Sequence, residues 1–207
     1  MSLEQEIKLQ VSQDEALSLE CLDWLMALLE APSERIHLLS TYYDTPNRDL
    51  QKFGAGLRLR QIGEQWLQTV KCTGKTERGL HQRKEWEHQL AGPEFDKALL
   101  NQTELAPLIE DAAIWNALSP LFTTEFERLV LPLRLTDGTR VEMAYDRGEV
   151  RAGDRQAIIH EIELELKAGE IKKVQQLADR LKAALPLQYS DISKAAQGYG
   201  LVQVYEK

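Results

Sequence analysis

The sequence predicts an α+β fold in which a closed or nearly closed antiparallel sheet carries helices on its outside. Three observations predict it. Strand-like segments follow one another along most of the chain, several with strict alternation of charged and apolar residues. Turn residues at Gly63-Glu64 and Asp137-Gly138 join neighbouring strands as hairpins. Segments with helical periodicity are few and lie between or after the strands.

The first strand is Glu4-Gln5-Glu6-Ile7-Lys8. Side chains alternate between the faces of a strand, so Glu4, Glu6 and Lys8 share one face while Leu3, Ile7 and Leu9 occupy or border the other. Alone, such a charged face reads as the solvated side of an edge strand. Ser12 with Glu15 has the form of a capping box, and Leu17, Cys21, Trp24, Leu25, Leu28 and Leu29 recur at helical spacing. An amphipathic helix is therefore expected over 13–30, with Cys21 as a small core residue. Arg35 to Asp44 is β-rich and stops at Thr45-Pro46-Asn47. After a polar connection and Gly54-Ala55-Gly56, Leu57-Arg58-Leu59-Arg60-Gln61-Ile62 alternates and returns through Trp66 to Cys72. A polar loop over 73–79 leads into a strand from Leu80 to Leu90, with Arg83, Glu85 and Glu87 on one face.

Residues 91–120 turn loop-like and helical, with Phe95, Leu99, Leu105, Ile109 and Trp115 among the members of a satellite cluster. Strands resume from Leu121 to Leu135 and from Val141 to Asp146, continuing towards Gly153. Ile158 to Lys167 is the last long strand, with Glu161, Glu163 and Glu165 at spacing two. Ile171, Val174, Leu177, Leu181 and Leu185 predict a second amphipathic helix over 170–185, ended by Pro186. A short helical turn and tail follow.

A chain of 207 residues fits one domain over 1–207 with a proper core. A net charge of -8 argues against wrapping duplex nucleic acid, although it leaves room for a local cationic pocket. Two cysteines, Cys21 and Cys72, lack a ligand-like spacing and suit a reducing cytosol. Neither an export signal nor a membrane-length apolar run is visible, so a cytoplasmic protein with no membrane and no nucleic-acid partner is expected.

Clustered acids and clustered bases recur on alternating strand faces whose other side is apolar: Leu57 and Leu59 oppose Arg58 and Arg60, and Ile162, Leu164 and Leu166 oppose the three glutamates. Several such strands in one β protein suggest a polar lumen. Like charges in a lumen are costly unless balanced. Carboxylate oxygens suit a hard divalent cation, and guanidinium groups suit phosphate, so a metal complex of a polyphosphate satisfies both.

Glu4-x-Glu6-x-Lys8 resembles the ExExK signature of the CYTH superfamily, the triphosphate tunnel metalloenzymes. The resemblance continues through Tyr42-Tyr43-Asp44-Thr45-Pro46, Gly56-Leu57-Arg58-Leu59-Arg60, Thr69-Val70-Lys71, Gly79-Leu80-His81-Gln82-Arg83, Phe126-Glu127-Arg128, Asp146-Arg147-Gly148, Glu161 to Glu165, and Ser193-Lys194-Ala195-Ala196-Gln197-Gly198-Tyr199. It implies an eight-stranded antiparallel β-barrel tunnel with helices packed outside and a triphosphate along the tunnel. By the same resemblance, Lys8, Arg58, Arg60, Lys71, Arg83, Arg128 and Lys194 bind substrate phosphate. Glu4, Glu6, Glu161, Glu163 and Glu165 hold Mg²⁺ or Mn²⁺, helped by Glu85 and Asp146. Lys8, Lys194, Glu6 and Glu163 are the expected catalytic group, with Lys8 or Lys194 as proton acceptor because an amine among cations has a depressed pKa.

The Gly-Leu-His-Gln-Arg run and the Ser-Lys-Ala-Ala-x-Gly-Tyr ending are most similar to bacterial inorganic triphosphatases, which hydrolyse tripolyphosphate to pyrophosphate and phosphate. Many of those carry a CHAD domain in a longer chain, so this chain is expected to be either a stand-alone member or an excised domain. Class IV adenylyl cyclase chemistry, thiamine triphosphate hydrolysis and polyphosphate binding without turnover share the same residues. Gly74-Lys75-Thr76 lacks the first glycine of a P-loop and reads as a hairpin loop. Gly54-x-Gly56 precedes a strand, against a dinucleotide site. Of His37, His81, His88 and His160, His81 has the best functional claim, beside Arg83. Trp24, Trp66 and Trp115 read as core.

Overall fold

A computed structural model describes residues 1–202, in the order β1 (Ser2–Val11), α1 (Asp23–Met26), β2 (Glu34–Asp44), α2 (Asp49–Phe53), β3 (Ala55–Ile62), β4 (Gln65–Cys72), β5 (Lys75–Glu77), β6 (Leu80–Leu90), α3 (Lys97–Leu100), α4 (Ala106–Glu110), α5 (Ala112–Ala117), β7 (Ser119–Arg134), β8 (Arg140–Ala152), β9 (Arg155–Ala168), α6 (Ile171–Ala184), β10 (Leu187–Tyr189) and α7 (Lys194–Leu201). Antiparallel pairing runs β1-β9-β8-β7-β2-β3-β4-β6, and β6 pairs back onto β1. That is a closed eight-stranded barrel, with β10 and β5 added at its margins. Closure leaves the strand edges of the wall paired, which allows alternate side chains to point into one shared interior.

The outward residues of the alternating strands build two apolar layers. Ile7, Leu9, Val141, Met143, Ile162 and Leu164 pack under α6 through Val174, Leu177 and Leu181. Leu57, Val70 and Trp86 pack under Leu50 of α2 and under Leu100, Leu105 and Ile109. Each buried side chain of this size contributes roughly 1.5–3 kcal/mol. A third cluster lies within one end of the barrel, where Leu38, Tyr42, Phe122 and Phe126 meet Tyr199 of α7. Tyr42 stacks on Phe122 at 4.6 Å between ring centroids, and Tyr199 meets Phe122 edge-on at 5.3 Å. Gly198 makes this seat possible, since a Cβ there would lie 2.1 Å from the Phe122 ring.

The segment 13–30 departs from the expected amphipathic helix. It holds a short 3₁₀ turn, Leu19–Cys21, and α1, with irregular backbone around them. Leu17, Leu19 and Leu25 are buried against the barrel and Trp24, Leu28 and Leu29 half-buried there, but the backbone bonds go elsewhere. The Leu17 N–H donates to the Tyr145 hydroxyl at 3.0 Å, the Glu30 N–H donates to the Pro132 carbonyl, and Leu28 accepts from the Arg134 N–H. Tertiary partners outcompeted local helix propensity. The Ser12 hydroxyl donates to the Pro186 carbonyl rather than capping a helix. Cys21 is exposed, a correction to its expected core position, while Cys72 is buried. Among the described residues no helix is long and apolar enough to cross a membrane.

Candidate active site

The barrel interior opens into a cavity of about 550 Å³. Glu4, Glu6, Lys8, Arg58, Arg60, Lys71, Arg83, Arg128, Glu163, Glu165 and Lys194 line it. Glu161 lies just beneath the wall, fully buried. The charged face of β1 is thus internal: Glu4, Glu6 and Lys8 are 7%, 3% and 1% exposed.

Strand register decides which of these groups meet. Across β1 and β9, Lys8 stands opposite Glu163 and Gln10 opposite Glu161. The Lys8 amine donates to Glu163 Oε1 at 2.5 Å and to Glu161 Oε1 at 2.7 Å. Across β7, β8 and β9, Arg128 faces Asp146, which faces Glu161. The Arg128 guanidinium forks onto both Asp146 oxygens at 2.7 Å and reaches Glu163 Oε2 at 2.5 Å. Lys194 enters from the first turn of α7, whose N-terminus is capped by the Ser193 hydroxyl. Its amine contacts Asp146 at 2.7 Å, Glu163 at 2.9 Å, and Glu161.

These contacts set the charge states. Burial alone would raise the Glu163 pKa, but Lys194, Lys8 and Arg128 outweigh it and hold the carboxyl well below its usual range. Burial alone would lower the Lys8 pKa, but Glu161 and Glu163 raise it. Asp146, Glu161 and Glu163 likewise override burial and raise that of Lys194. The depressed amine expected for a lysine proton acceptor is therefore absent at both positions, because each lysine faces carboxylates as well as cations.

The opposite wall is differently balanced. Arg83 donates to Glu4 at 2.7 Å and to Glu6 at 2.6 Å, its direct and diagonal neighbours across β1 and β6. Lys71 takes the other Glu4 oxygen at 2.7 Å and lies 3.3 Å from Glu85. Arg58 is less satisfied: Glu85 and Glu87 stand 3.9 Å away, its terminal N–H reaches the Tyr42 hydroxyl at 3.4 Å, and its Nε is buried without a partner among the described residues. Among the described residues Arg60 donates only to the Ser40 hydroxyl, at 2.9 Å, and has no carboxylate within ion-pair distance. Burial, together with Arg58 and Arg128, lowers its pKa to about 9. The group remains a cation at neutral pH, so this wall holds positive charge that the protein leaves unbalanced.

Among the described residues, one carboxylate group is arranged to share a cation. Asp146, Glu161 and Glu163 each offer an oxygen, all within 4.8 Å of one another. Glu161 Oε2 is buried with no hydrogen-bond partner, so one lone-pair-bearing atom of the set is unused. An all-oxygen carboxylate set fits a hard divalent ion. Glu4 and Glu6 pair with Arg83 and Lys71, as Asp146, Glu161 and Glu163 pair with Lys8, Arg128 and Lys194. Glu165 pairs with Lys167 at 2.8 Å near Glu142, and its burial raises its pKa against the pull of Lys167. The metal-ligand residues expected from sequence are therefore divided among three neighbourhoods.

Sequence reasoning passed over Ser40, Thr69, Glu142 and Lys167, although Thr69, Glu142 and Lys167 line the cavity. The parity that places Arg58 inside also places Thr69 opposite it, and the parity of Asp146 reaches Glu142. His81 is buried on the cavity wall, with its Nε2 3.1 Å from the Ser190 carbonyl. Gly74-Lys75-Thr76 forms no P-loop, since Lys75 and Thr76 belong to β5.

Comparison with known proteins converges on one family. The CYTH domain profile matches residues 2–199. An inorganic triphosphatase of Haemophilus influenzae is 30% identical over 196 residues, covering 94% of this chain and 54% of that protein, so the chain spans about half the length of this relative. A Hippeastrum protein proposed as an adenylyl cyclase, with a dominant triphosphatase activity, superposes with a TM-score of 0.69 at 23% identity over 99% of this chain and 100% of its own. A proposed adenylate cyclase of Bacillus halodurans gives 0.58 at 18% identity, over 95% and 98%. At these identities the two structures speak to the fold alone.

Proposed function

This chain belongs to the CYTH domain family, and we propose that it hydrolyses tripolyphosphate to pyrophosphate and phosphate with the help of a divalent cation. The observation that carries this reading is the pair Arg58 and Arg60, buried cations of which the first has carboxylates only at 3.9 Å and the second none within ion-pair distance among the described residues, facing a wall where Asp146, Glu161 and Glu163 converge. A buried unbalanced cation is costly, and a phosphate chain is the ligand whose oxygens relieve it. The likeness to an inorganic triphosphatase favours tripolyphosphate over a substituted triphosphate.

Arg58, Arg60, Lys71 and Arg83 bind the phosphate oxygens and neutralise the charge that develops on the departing pyrophosphate. Lys8 and Lys194 stay protonated and hold Glu161 and Glu163 in place, as does Arg128 for Asp146. Glu6 orients Arg83. Asp146, Glu161 and Glu163 would hold Mg²⁺ or Mn²⁺, which when bound polarises a phosphoryl oxygen and acidifies its water. Water attacks the terminal phosphorus in line with the bond to the leaving pyrophosphate, and the bound chain is aligned for this by the guanidinium row.

The test is phosphate release from tripolyphosphate, ATP and thiamine triphosphate, each with Mg²⁺, with Mn²⁺ and with chelator, beside a cyclic AMP assay. Tripolyphosphate should be cleaved fastest, and only with metal. Strong cyclic AMP formation with negligible tripolyphosphate cleavage would replace this reading by a cyclase.

A further inference from the structure

We propose that Ser40 is the positioning residue for Arg60: its neutral hydroxyl fixes the guanidinium in the tunnel without cancelling its charge, leaving that charge whole for the triphosphate chain. The inference rests on the tunnel being a polyphosphate site.

Ser40 is fully buried and lies directly opposite Arg60 in the β2–β3 register. Its Oγ accepts from Arg60 Nε at 2.9 Å. That bond uses the one N–H that points back along the side chain, so the terminal fork of the guanidinium is free to face the lumen. Every other cation named above on the tunnel wall has a carboxylate within 4.0 Å: Arg83 has Glu4 and Glu6, Lys71 has Glu4 and Glu85, Arg128 has Asp146 and Glu163, and even Arg58 has Glu85 and Glu87. Among the described residues, Arg60 alone of these cations has a hydroxyl partner and no carboxylate within that distance. The residue facing Ser40 on its other side is Thr124, also fully buried, whose Oγ1 has no hydrogen-bond partner among the described residues. The positions level with Arg60 on β2 and β7, Ser40 and Thr124, are thus uncharged.

A carboxylate at position 40 would hold the arginine just as firmly, but a ligand would then have to displace or tolerate that counter-charge. A hydroxyl accepts one hydrogen bond and contributes little field. It confers orientation at little electrostatic cost, and orientation of a forked donor is what phosphate recognition requires.

The experiment compares Ser40→Ala, Ser40→Thr and Ser40→Asp with the parent chain, using two readouts. The first needs no substrate: the Arg60 Nε–Hε signal in a ¹⁵N–¹H spectrum, assigned by its loss in Arg60→Lys. It should be slowly exchanging in the parent, lost to fast exchange in Ser40→Ala, and restored in Ser40→Thr and Ser40→Asp. The second is KM for tripolyphosphate with Mg²⁺. It should rise about tenfold in Ser40→Ala with kcat less affected, return towards the parent in Ser40→Thr, and stay raised in Ser40→Asp despite the restored signal. An Arg60 signal unchanged in Ser40→Ala overturns the positioning role whatever the enzyme does. A KM in Ser40→Asp equal to that of the parent overturns the charge-sparing role. If the spectra behave as stated and the parent neither binds nor cleaves tripolyphosphate, the functional reading fails and the positioning of Arg60 stands.

Discussion

Lys8 and Glu163 face each other across the β1–β9 pair, and the amine lies 2.5 Å from the carboxylate oxygen in the middle of the tunnel. Glu163 also takes Arg128 and Lys194, so one carboxylate organises three cations. Replacing Glu163 by Gln removes that charge while keeping the shape. Metal-dependent phosphate release should fall by about two to three orders of magnitude, the scale of losing one preorganised electrostatic group. Retained activity with an unchanged metal requirement would place the metal elsewhere.

The phosphate role proposed for Arg60 separates binding from stability. Arg60→Met should raise KM for tripolyphosphate more than tenfold, yet leave the unfolding midpoint unchanged or higher, because an uncompensated buried cation is removed. Parallel denaturant curves and steady-state kinetics check both halves. A large loss of stability would mean that Arg60 is a structural member of the wall.

Glu4 links the tunnel to acid stability. Burial would raise its pKa, but the charges of Lys71 and Arg83 outweigh burial and lower it from 4.5 to about 2. The stabilisation this brings is complete above pH 4.5 and is lost as pH falls from 4.5 towards 2. Over that interval it is worth on the order of 3 kcal/mol. Glu4→Gln should therefore be less stable than the parent at pH 7, and the two unfolding free energies should approach one another through pH 4.5 to 2 and converge only below about pH 2; a gap of constant size would contradict the assignment.

Gly198 seats α7 on the Phe122 ring, and α7 carries Lys194. Phe122 is already stacked on Tyr42, so it has little room to retreat. Gly198→Ala should cost about 1–3 kcal/mol by overpacking and lower kcat/KM through displacement of Lys194. Thermal melts and kinetics on the same preparation decide it, and an unaffected kcat/KM would uncouple the helix from the site.

The two thiols should differ sharply. Cys21 is exposed, whereas burial and a hydrogen bond to Glu104 push the Cys72 pKa up to about 11. At pH 8 only about one Cys72 in a thousand is ionised, so iodoacetamide should label Cys21 and spare Cys72. Peptide mapping after timed labelling reads this directly.

Alternation in the sequence determined the strands and their inward faces. Glu4, Glu6 and Lys8, Arg58 and Arg60, and Glu161 and Glu163 each have apolar neighbours that fix which way they point, because a period of two leaves a strand only two choices. The hairpin at Gly63 and that at Asp137-Gly138 were legible for the same local reason: φ is positive at both glycines. The irregular segment 13–30 was not legible, since its helical spacing was real but its backbone found stronger partners in Tyr145 and Pro132. Nor could alternation tell which carboxylate serves which cation. Glu4 and Glu161 have the same local pattern, yet one is bound to Arg83 and the other lies beneath Lys8 and Lys194. Register and barrel closure decided that, by bringing strands together that are more than 70 residues apart in the chain, as Glu4 and Arg83 are. The same closure left Arg60 with a hydroxyl instead of a carboxylate, which no reading of its own strand contains.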